Sequence, residues 1–131
     1  MTGLVLVTHA GLASALRRSA EMIVGTIEDC EQVEIAPEER ADVIMSRVVA
    51  AVEKVSADDG AIIMTDLFGG TPSNMAMSFL KEGRVEVVTG ANLPMMIEFC
   101  SKRARLGIAE LAAHLHKSGR EGIIVAGEFL K

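Results

Sequence analysis

The sequence predicts an α/β fold, a three-layer sandwich in which helices cover both faces of a mostly parallel central sheet. Two short runs, residues 3–8 and 61–65, are apolar without interruption, which is typical of strands buried on both faces. Stretches with helical spacing of apolar residues separate the predicted strands. Strands that alternate with helices favour parallel pairing, because each helix returns the chain to the same end of the sheet. At 131 residues, we expect one domain, residues 1–131.

The first half of the chain is predicted to contain three strands and two helices. Gly25 is a suitable C-terminal stop for the first helix. Pro37 fits a first helical position, and the two glutamates after it suit the first turn of the second helix. The predicted bounds are 3–8, 31–35 and 61–65 for the strands and 12–25 and 37 to about 55 for the helices.

The second half is predicted to contain two helical regions and two strands. A Gly-Gly loop precedes Thr71, a candidate N-cap, and Pro72 then fits the first helical position. The last helical region is expected to break near Gly107 and to end before Gly119. The predicted bounds are 72 to about 80 and 94 to about 117 for the helical regions and 84–89 and 121–126 for the strands.

Composition excludes several classes of function. The net charge is −5 and aromatic residues make up 3%, without Trp or Tyr, so neither a basic face nor stacking platforms for nucleic acid are expected. No apolar run is long enough to span a bilayer, and the amino terminus does not resemble a signal peptide. Cys30 and Cys100 belong to no metal-ligand spacing, which is typical of reduced thiols. We therefore expect a cytoplasmic protein without direct membrane insertion.

The polar residues that could take part in a reaction come directly after the predicted parallel strands. His9 ends the first strand, Asp66 follows the third, and residues 90–92 follow the fourth. In an open α/β sheet the ligand site lies beyond the carboxyl ends of the strands, where the strand order reverses. The sequence therefore predicts a site at this edge of the sheet.

His9 and Asp66 suggest a nucleophilic imidazole. A single histidine after an apolar strand is most often structural, and a single aspartate at a strand end is often a turn or capping residue. Together they favour chemistry, because a carboxylate that accepts the proton of one ring nitrogen leaves the other nitrogen as a neutral nucleophile. The alternative that Asp66 itself accepts a phosphoryl group is disfavoured, because Thr8 and His9 stand where receiver domains carry paired acids.

The loop from Gly69 to Thr71 offers a place for a small anion. Its glycines allow backbone amides to turn inward, and Thr71 adds a hydroxyl donor. The loop contains no P-loop or dinucleotide motif, so a phosphoryl group is favoured over a nucleotide. The remaining histidines, His114 and His116, are expected to be solvated, and nothing in the sequence requires a metal or another cofactor.

Three motifs in order carry a family resemblance. They are Val-Leu-Val-Thr-His9-Ala-Gly, Thr65-Asp66-Leu-Phe-Gly-Gly-Thr-Pro-Ser-Asn74 and Thr-Gly90-Ala-Asn92-Leu-Pro94-Met, and Arg120-Glu121-Gly122 stands before the last predicted strand. Together they resemble the enzyme IIA component of the mannose family of bacterial sugar phosphotransferase systems. The resemblance covers nearly the whole chain. The family often has Trp where this chain has Phe68, and Ser where it has Thr71.

This resemblance implies a phosphotransferase that works through phosphohistidine. His9 accepts a phosphoryl group, as tele-phosphohistidine, from the phosphorylated histidine carrier protein and passes it to an enzyme IIB for sugar uptake. Asp66 orients His9. The other implied site residues are the phosphoryl contacts Thr71, Gly69, Gly70 and Gly11 and, behind them, Thr8, Asn74 and Asn92.

The resemblance also implies a quaternary structure. The last strand, at about residues 121–126, is antiparallel in the family and is exchanged between two subunits of a homodimer. Because the chain ends soon after the domain, a free-standing subunit is expected. Two alternatives stay open: a regulatory phospho-relay module without a transport role, and the phosphoryl-donor subunit of a dihydroxyacetone kinase. The second is less favoured because its loop differs from residues 66–72.

Overall fold

Four parallel strands form the central sheet of the computed structural model, which describes residues 1–131. Their spatial order is β2-β1-β3-β4, and every pairing is parallel. The chain extends from β1 to β2 in one direction and to β3 and β4 in the other, so the order reverses between β1 and β3. The strands are β1 (Gly3–His9), β2 (Cys30–Ile35), β3 (Ala61–Thr65) and β4 (Val85–Thr89).

Six helices surround this sheet, and the prediction of a three-layer α/β sandwich is confirmed. The expected break near Gly107 is present, because this glycine is the N-cap that separates the two helices of the last helical region. The helices are α1 (Leu12–Val24), α2 (Ala41–Ser56), α3 (Thr71–Met77), α4 (Leu93–Lys102), α5 (Ile108–Glu121) and α6 (Ala126–Phe129).

Strands β1 and β3 are buried on both faces, as their uninterrupted apolar character predicts. Leu4 and Leu6 belong to a core beneath α1, α4 and α5, whereas Val5 and Val7 belong to a second core beneath α2 and α3. All four side chains are fully buried. Two separate cores therefore hold β1 rigidly, and His9 is the last residue of that strand.

The second helix begins later than predicted. It starts at Ala41, and the Glu39 carboxylate accepts a hydrogen bond from the Ala36 amide at 3.1 Å. That bond, together with the ion pair of Glu39 with Arg47, closes residues 36–39 into a turn. The same contacts lower the pKa of Glu39, first the Ala36 amide and then the Arg47 guanidinium. Pro37 therefore lies in a turn rather than at a first helical position.

The segment predicted as a last strand is not a strand in the single chain. Helix α5 continues to Glu121, and a methyl group built on Gly122 would lie 2.3 Å from Pro94, so the end of α5 packs closely against the start of α4. A short helix, α6, follows instead of a strand. The physical reason is that a strand needs a paired neighbour, and the chain leaves α5 without reaching the open edge of β4.

Both cysteines are free thiols, as predicted. Burial raises the pKa of Cys30 to about 11, and it also raises the pKa of Cys100. No helix of the chain has the length and apolar character needed to cross a bilayer.

Candidate functional site

His9 and Asp66 meet beyond the carboxyl ends of the adjacent strands β1 and β3. His9 Nδ1 lies 2.9 Å from Asp66 Oδ2, and the His9 backbone amide donates to the same oxygen at 3.0 Å. One carboxylate oxygen therefore holds both the main chain and the ring of His9. The predicted pairing of these residues is present in the structure.

This geometry selects the imidazole tautomer. A carboxylate oxygen only accepts hydrogen bonds, so Nδ1 carries the ring proton and Nε2 carries the lone pair. The His9 side chain is 51% exposed and that of Asp66 only 10%. About half of the His9 side chain is thus open to solvent, while the carboxylate bonded to it is enclosed.

The backbone turns sharply after His9. Ala10 has φ of +46°, in the left-handed region that residues with a Cβ rarely adopt. The Ala10 amide donates to the Ile35 carbonyl oxygen at 3.0 Å, which ties the turn to the end of β2. This turn leads directly into α1, which begins at Leu12.

Two amides in the first turn of α1 are already bound by side chains. Thr8 Oγ1, fully buried, accepts the Ala13 amide at 2.9 Å, and Glu34 Oε2 accepts the Ser14 amide at 2.9 Å. The Gly11 amide has no acceptor within the protein. Thr8 therefore fixes α1 relative to His9, and the Gly11 amide remains free to meet an anion.

The Gly-Gly loop touches the imidazole ring. A methyl group built on Gly70 would lie 3.0 Å from His9 Cε1 and 3.4 Å from Nε2, so only glycine leaves this approach open. Gly69 has φ of +93°, which favours glycine for a conformational reason instead. The amides of Gly70 and Thr71 have no acceptor within the protein. The loop therefore presents two free donors near the nucleophilic nitrogen.

Thr71 does not cap α3, although the sequence predicts it as the N-cap. Gly70, not Thr71, is the N-cap of α3, and Pro72 is fully enclosed behind it. The Thr71 hydroxyl makes no capping bond, and the residue is exposed. Because α3 has only seven residues, the individual loop amides and this hydroxyl provide the donors, rather than the dipole of a long helix.

Ser73 is a site residue that the sequence reasoning missed. It is fully buried, and its Oγ accepts the Gly69 amide at 2.9 Å and lies 3.3 Å from the Gly70 carbonyl oxygen. The sequence feature that could have identified Ser73 is a hydroxyl residue three positions after the N-cap of a helix that follows a Gly-Gly loop. Glu34 was also missed, because it reaches α1 from a neighbouring strand.

The two asparagines named from the sequence lie in different surroundings. Asn92 is the N-cap of α4: its Oδ1 accepts the Met95 amide at 3.1 Å, and its Nδ2 donates to the Gly119 carbonyl oxygen at 2.9 Å. Its side-chain amide therefore joins α4 to α5. Asn74 is exposed on α3 and makes no side-chain hydrogen bond.

Two buried oxygen atoms beside the site have no partner. They are Asp66 Oδ1 and Thr65 Oγ1. Asp66 therefore directs all of its hydrogen bonding through Oδ2 to His9. This one-sided use of the carboxylate is unusual, because buried polar atoms are mostly paired.

Exposed apolar side chains stand next to both site segments in the sequence. Leu12, Leu67 and Phe68 are 45%, 60% and 71% exposed and follow directly on the two site segments. By contrast, His114 and His116 lie on α5, where both residues are exposed as predicted. No cluster of three or more candidate metal ligands is present. The arrangement suits a covalent nucleophile with nearby anion donors.

Comparisons with known proteins agree on one family. A family model described as the PTS system fructose IIA component (EIIA-man) matches residues 3–116. The sorbose-specific EIIA component of Lacticaseibacillus casei is 32% identical over 90% of this chain and 86% of that protein. The mannose-specific EIIAB component of Escherichia coli strain K12 is 30% identical over 92% of this chain, which spans 38% of that longer protein.

A solved structure shows the same architecture. The PTS IIA protein associated with the fucose utilization operon from Streptococcus pneumoniae superposes with a TM-score of 0.88 at 26% identity. The match covers 99% of this chain and 96% of that one. The resemblance inferred from the three sequence motifs is thereby confirmed.

Proposed function

We propose, from the premise that this chain belongs to the EIIA-man family of phosphotransferase-system IIA components, that His9 is a phosphoryl carrier. It accepts the phosphoryl group from the phosphorylated histidine carrier protein and passes it to an enzyme IIB subunit for sugar uptake. The observation that carries this proposal is the double acceptance by Asp66 Oδ2, which leaves His9 Nε2 unprotonated on a side chain that is half exposed.

The transfer is an in-line exchange between two imidazoles. His9 Nε2 attacks phosphorus while the nitrogen–phosphorus bond of the donor phosphohistidine breaks, and that electron pair returns to the donor ring. The product is tele-phosphohistidine, whose ring gains positive charge. Asp66 stabilises that charge through Nδ1. Passing the phosphoryl group to enzyme IIB is the same exchange with His9 as the leaving group.

The loop donors supply the second part of catalysis. The charge on the equatorial oxygens is met by the free amides of Gly70 and Thr71, by the Thr71 hydroxyl and by the Gly11 amide. Gly69 contributes through its backbone conformation, because its amide is already bound to Ser73. Positioning and fixed donors are therefore sufficient for the reaction.

Mapping the phosphorylated residue tests this proposal. The chain has three histidines, and trypsin separates them: peptide 1–17 contains His9, and peptide 106–117 contains His114 and His116. After incubation with the phosphorylated carrier, we expect an acid-labile, alkali-stable phosphate on peptide 1–17 alone, measured by mass spectrometry under alkaline conditions.

The double variant His114→Gln/His116→Gln serves as the control for this experiment. It is expected to accept phosphate at the rate of the unaltered protein, because both residues are exposed on α5. Phosphate on peptide 106–117, or no phosphate at all, would contradict the proposal. Adding enzyme IIB then distinguishes transport from a regulatory role, since only a transport component discharges to it.

We further propose that the chain forms a homodimer by exchange of the segment around residues 121–126. No strand pairs with the outer edge of β4, where only Val85 forms a bridge, to Lys81, and all five residues of β4 are only partly buried. Ile123, Ile124 and Val125 are 75%, 57% and 68% exposed in the single chain. An unpaired edge and an unpartnered β-branched segment complement each other, because pairing satisfies the edge and buries the segment.

Light scattering of two charge variants tests the dimer. The unaltered protein is expected at twice the chain mass of 13.9 kDa. Ile124→Lys is expected to shift the equilibrium towards the monomer, whereas Met22→Lys, at a residue 91% exposed on α1, is expected to leave it unchanged. A monomeric unaltered protein, or equal masses for the two variants, would refute the exchange.

A further inference from the structure

We infer that Ser73 is a positioning residue for phosphoryl transfer, because its buried hydroxyl holds the Gly69–Gly70 loop against the His9 ring. This inference rests on the proposed function of His9. It concerns a residue that touches neither the imidazole nor an incoming phosphoryl group. Its role is to place the donors that do.

Ser73 closes a small ring of hydrogen bonds beneath the loop. Its Oγ accepts the Gly69 amide at 2.9 Å and donates to the Gly70 carbonyl oxygen at 3.3 Å. The hydroxyl thus uses both its acceptor and its donor capacity on two consecutive loop residues. The side chain is fully buried, so water does not compete for either bond.

The loop has little else to hold it. Gly69 has a left-handed φ and open space around its Cα, and neither glycine has a side chain that could pack. The N-cap residue, Gly70, has no side chain for capping, so Ser73 is the only side chain that bonds to these glycines. Without Ser73, the Gly69 amide would lose its only partner, whereas the Gly70 carbonyl oxygen would keep the bond from the Asn74 amide at 3.0 Å.

The position of this loop matters because it borders the reactive nitrogen. The Cβ position of Gly70 is 3.4 Å from His9 Nε2, so a shift of this residue by even a fraction of that distance changes the space for the phosphoryl group. The free amides of Gly70 and Thr71 would move with it. We therefore expect loop disorder to affect the transfer step more than the encounter with the donor.

Steady-state kinetics of Ser73→Ala test the inference. We expect kcat for phosphoryl acceptance to fall between about tenfold and hundredfold, with KM for the phosphorylated carrier changed less than about twofold. Ser73→Cys keeps the shape of the side chain, with a somewhat larger sulfur atom and only weak hydrogen bonding, so its kcat is expected to lie between those of alanine and serine. Ser78→Ala is the matched control, since its hydroxyl bonds to the Met75 carbonyl oxygen on the same helix but is exposed.

Amide hydrogen exchange in the unaltered protein gives a second test that needs no folded variant. The Gly69 amide, bound to Ser73 Oγ, is expected to exchange more slowly than the unbound amide of Gly70. Equal exchange rates, or Ser73→Ala with the kcat of the unaltered protein, would overturn the inference. Absence of phosphate on His9 in the unaltered protein would instead refute the proposed function, so the two failures are distinguishable.

Discussion

Asp66→Asn is expected to slow phosphoryl acceptance by His9 roughly 10³- to 10⁴-fold while the fold stays intact, by analogy with the tautomer effect in serine protease triads. The reason lies in the double acceptance by Oδ2. The side-chain amide of asparagine cannot accept both hydrogen bonds from His9 without a cost elsewhere. If its oxygen occupies the Oδ2 position, the NH₂ group fills the place of Oδ1, which is buried without a partner.

The opposite orientation of the amide is also unfavourable. Its NH₂ group would then face the His9 backbone amide, which is also a donor. His9 Nδ1 would have to accept a hydrogen bond from the same NH₂ group. The ring proton would move to Nε2 and block the nucleophile. In both orientations the negative charge that stabilises the phosphorylated ring is absent, so either one slows the transfer.

Rapid-quench measurement of a single turnover from the phosphorylated carrier checks this expectation, and ¹⁵N NMR of the His9 ring reports the tautomer. Asp58→Asn is the matched control, because Asp58 is an exposed carboxylate in the turn before β3 and its loss changes the net charge equally. A decrease of less than tenfold for Asp66→Asn, or a similar decrease for Asp58→Asn, would refute the role of Asp66.

The sequence could predict where His9 and Asp66 meet because this depends on a general property of parallel sheets. Both residues end apolar runs, and parallel strands bring their carboxyl ends to the same edge. The buried strands and the break at Gly107 depend on local signals and were predicted correctly. The prediction that Pro37 begins the second helix was wrong. A proline before two glutamates fits a helix start, but here the Glu39 carboxylate closes a turn instead.

The residues that were missed act through contacts that a linear pattern does not contain. Glu34 reaches the Ser14 amide only because β2 pairs with β1 in a register that places Glu34 opposite Thr8. Asn92 matched a family motif but serves as a helix cap and as a link to Gly119. The last predicted strand failed in the single chain because its pairing requires an edge that this chain does not reach by itself.

Gly70→Ala is expected to lower the rate of phosphoryl acceptance by about 10²-fold through a purely steric effect. The backbone of Gly70, with φ of −88° and ψ of 175°, is one that alanine adopts without strain. The added methyl group, however, would lie 3.0 Å from His9 Cε1, so the ring must shift by a few tenths of an ångström. The half-exposed imidazole has room to move, and the methyl group then occupies space beside Nε2 that the phosphoryl group needs.

Gly107→Ala provides a matched control for this effect. Gly107 is also a helix N-cap without a side-chain capping bond, and its φ of −71° and ψ of 169° are close to those of Gly70. A methyl group there meets nothing within 4 Å. Both substitutions replace a glycine N-cap by alanine and share that loss of stability, measured by thermal unfolding. Only Gly70→Ala is expected to slow transfer, since only Gly70 borders the reactive nitrogen, and equal rates for the two variants would show that the loop does not shape the phosphoryl site.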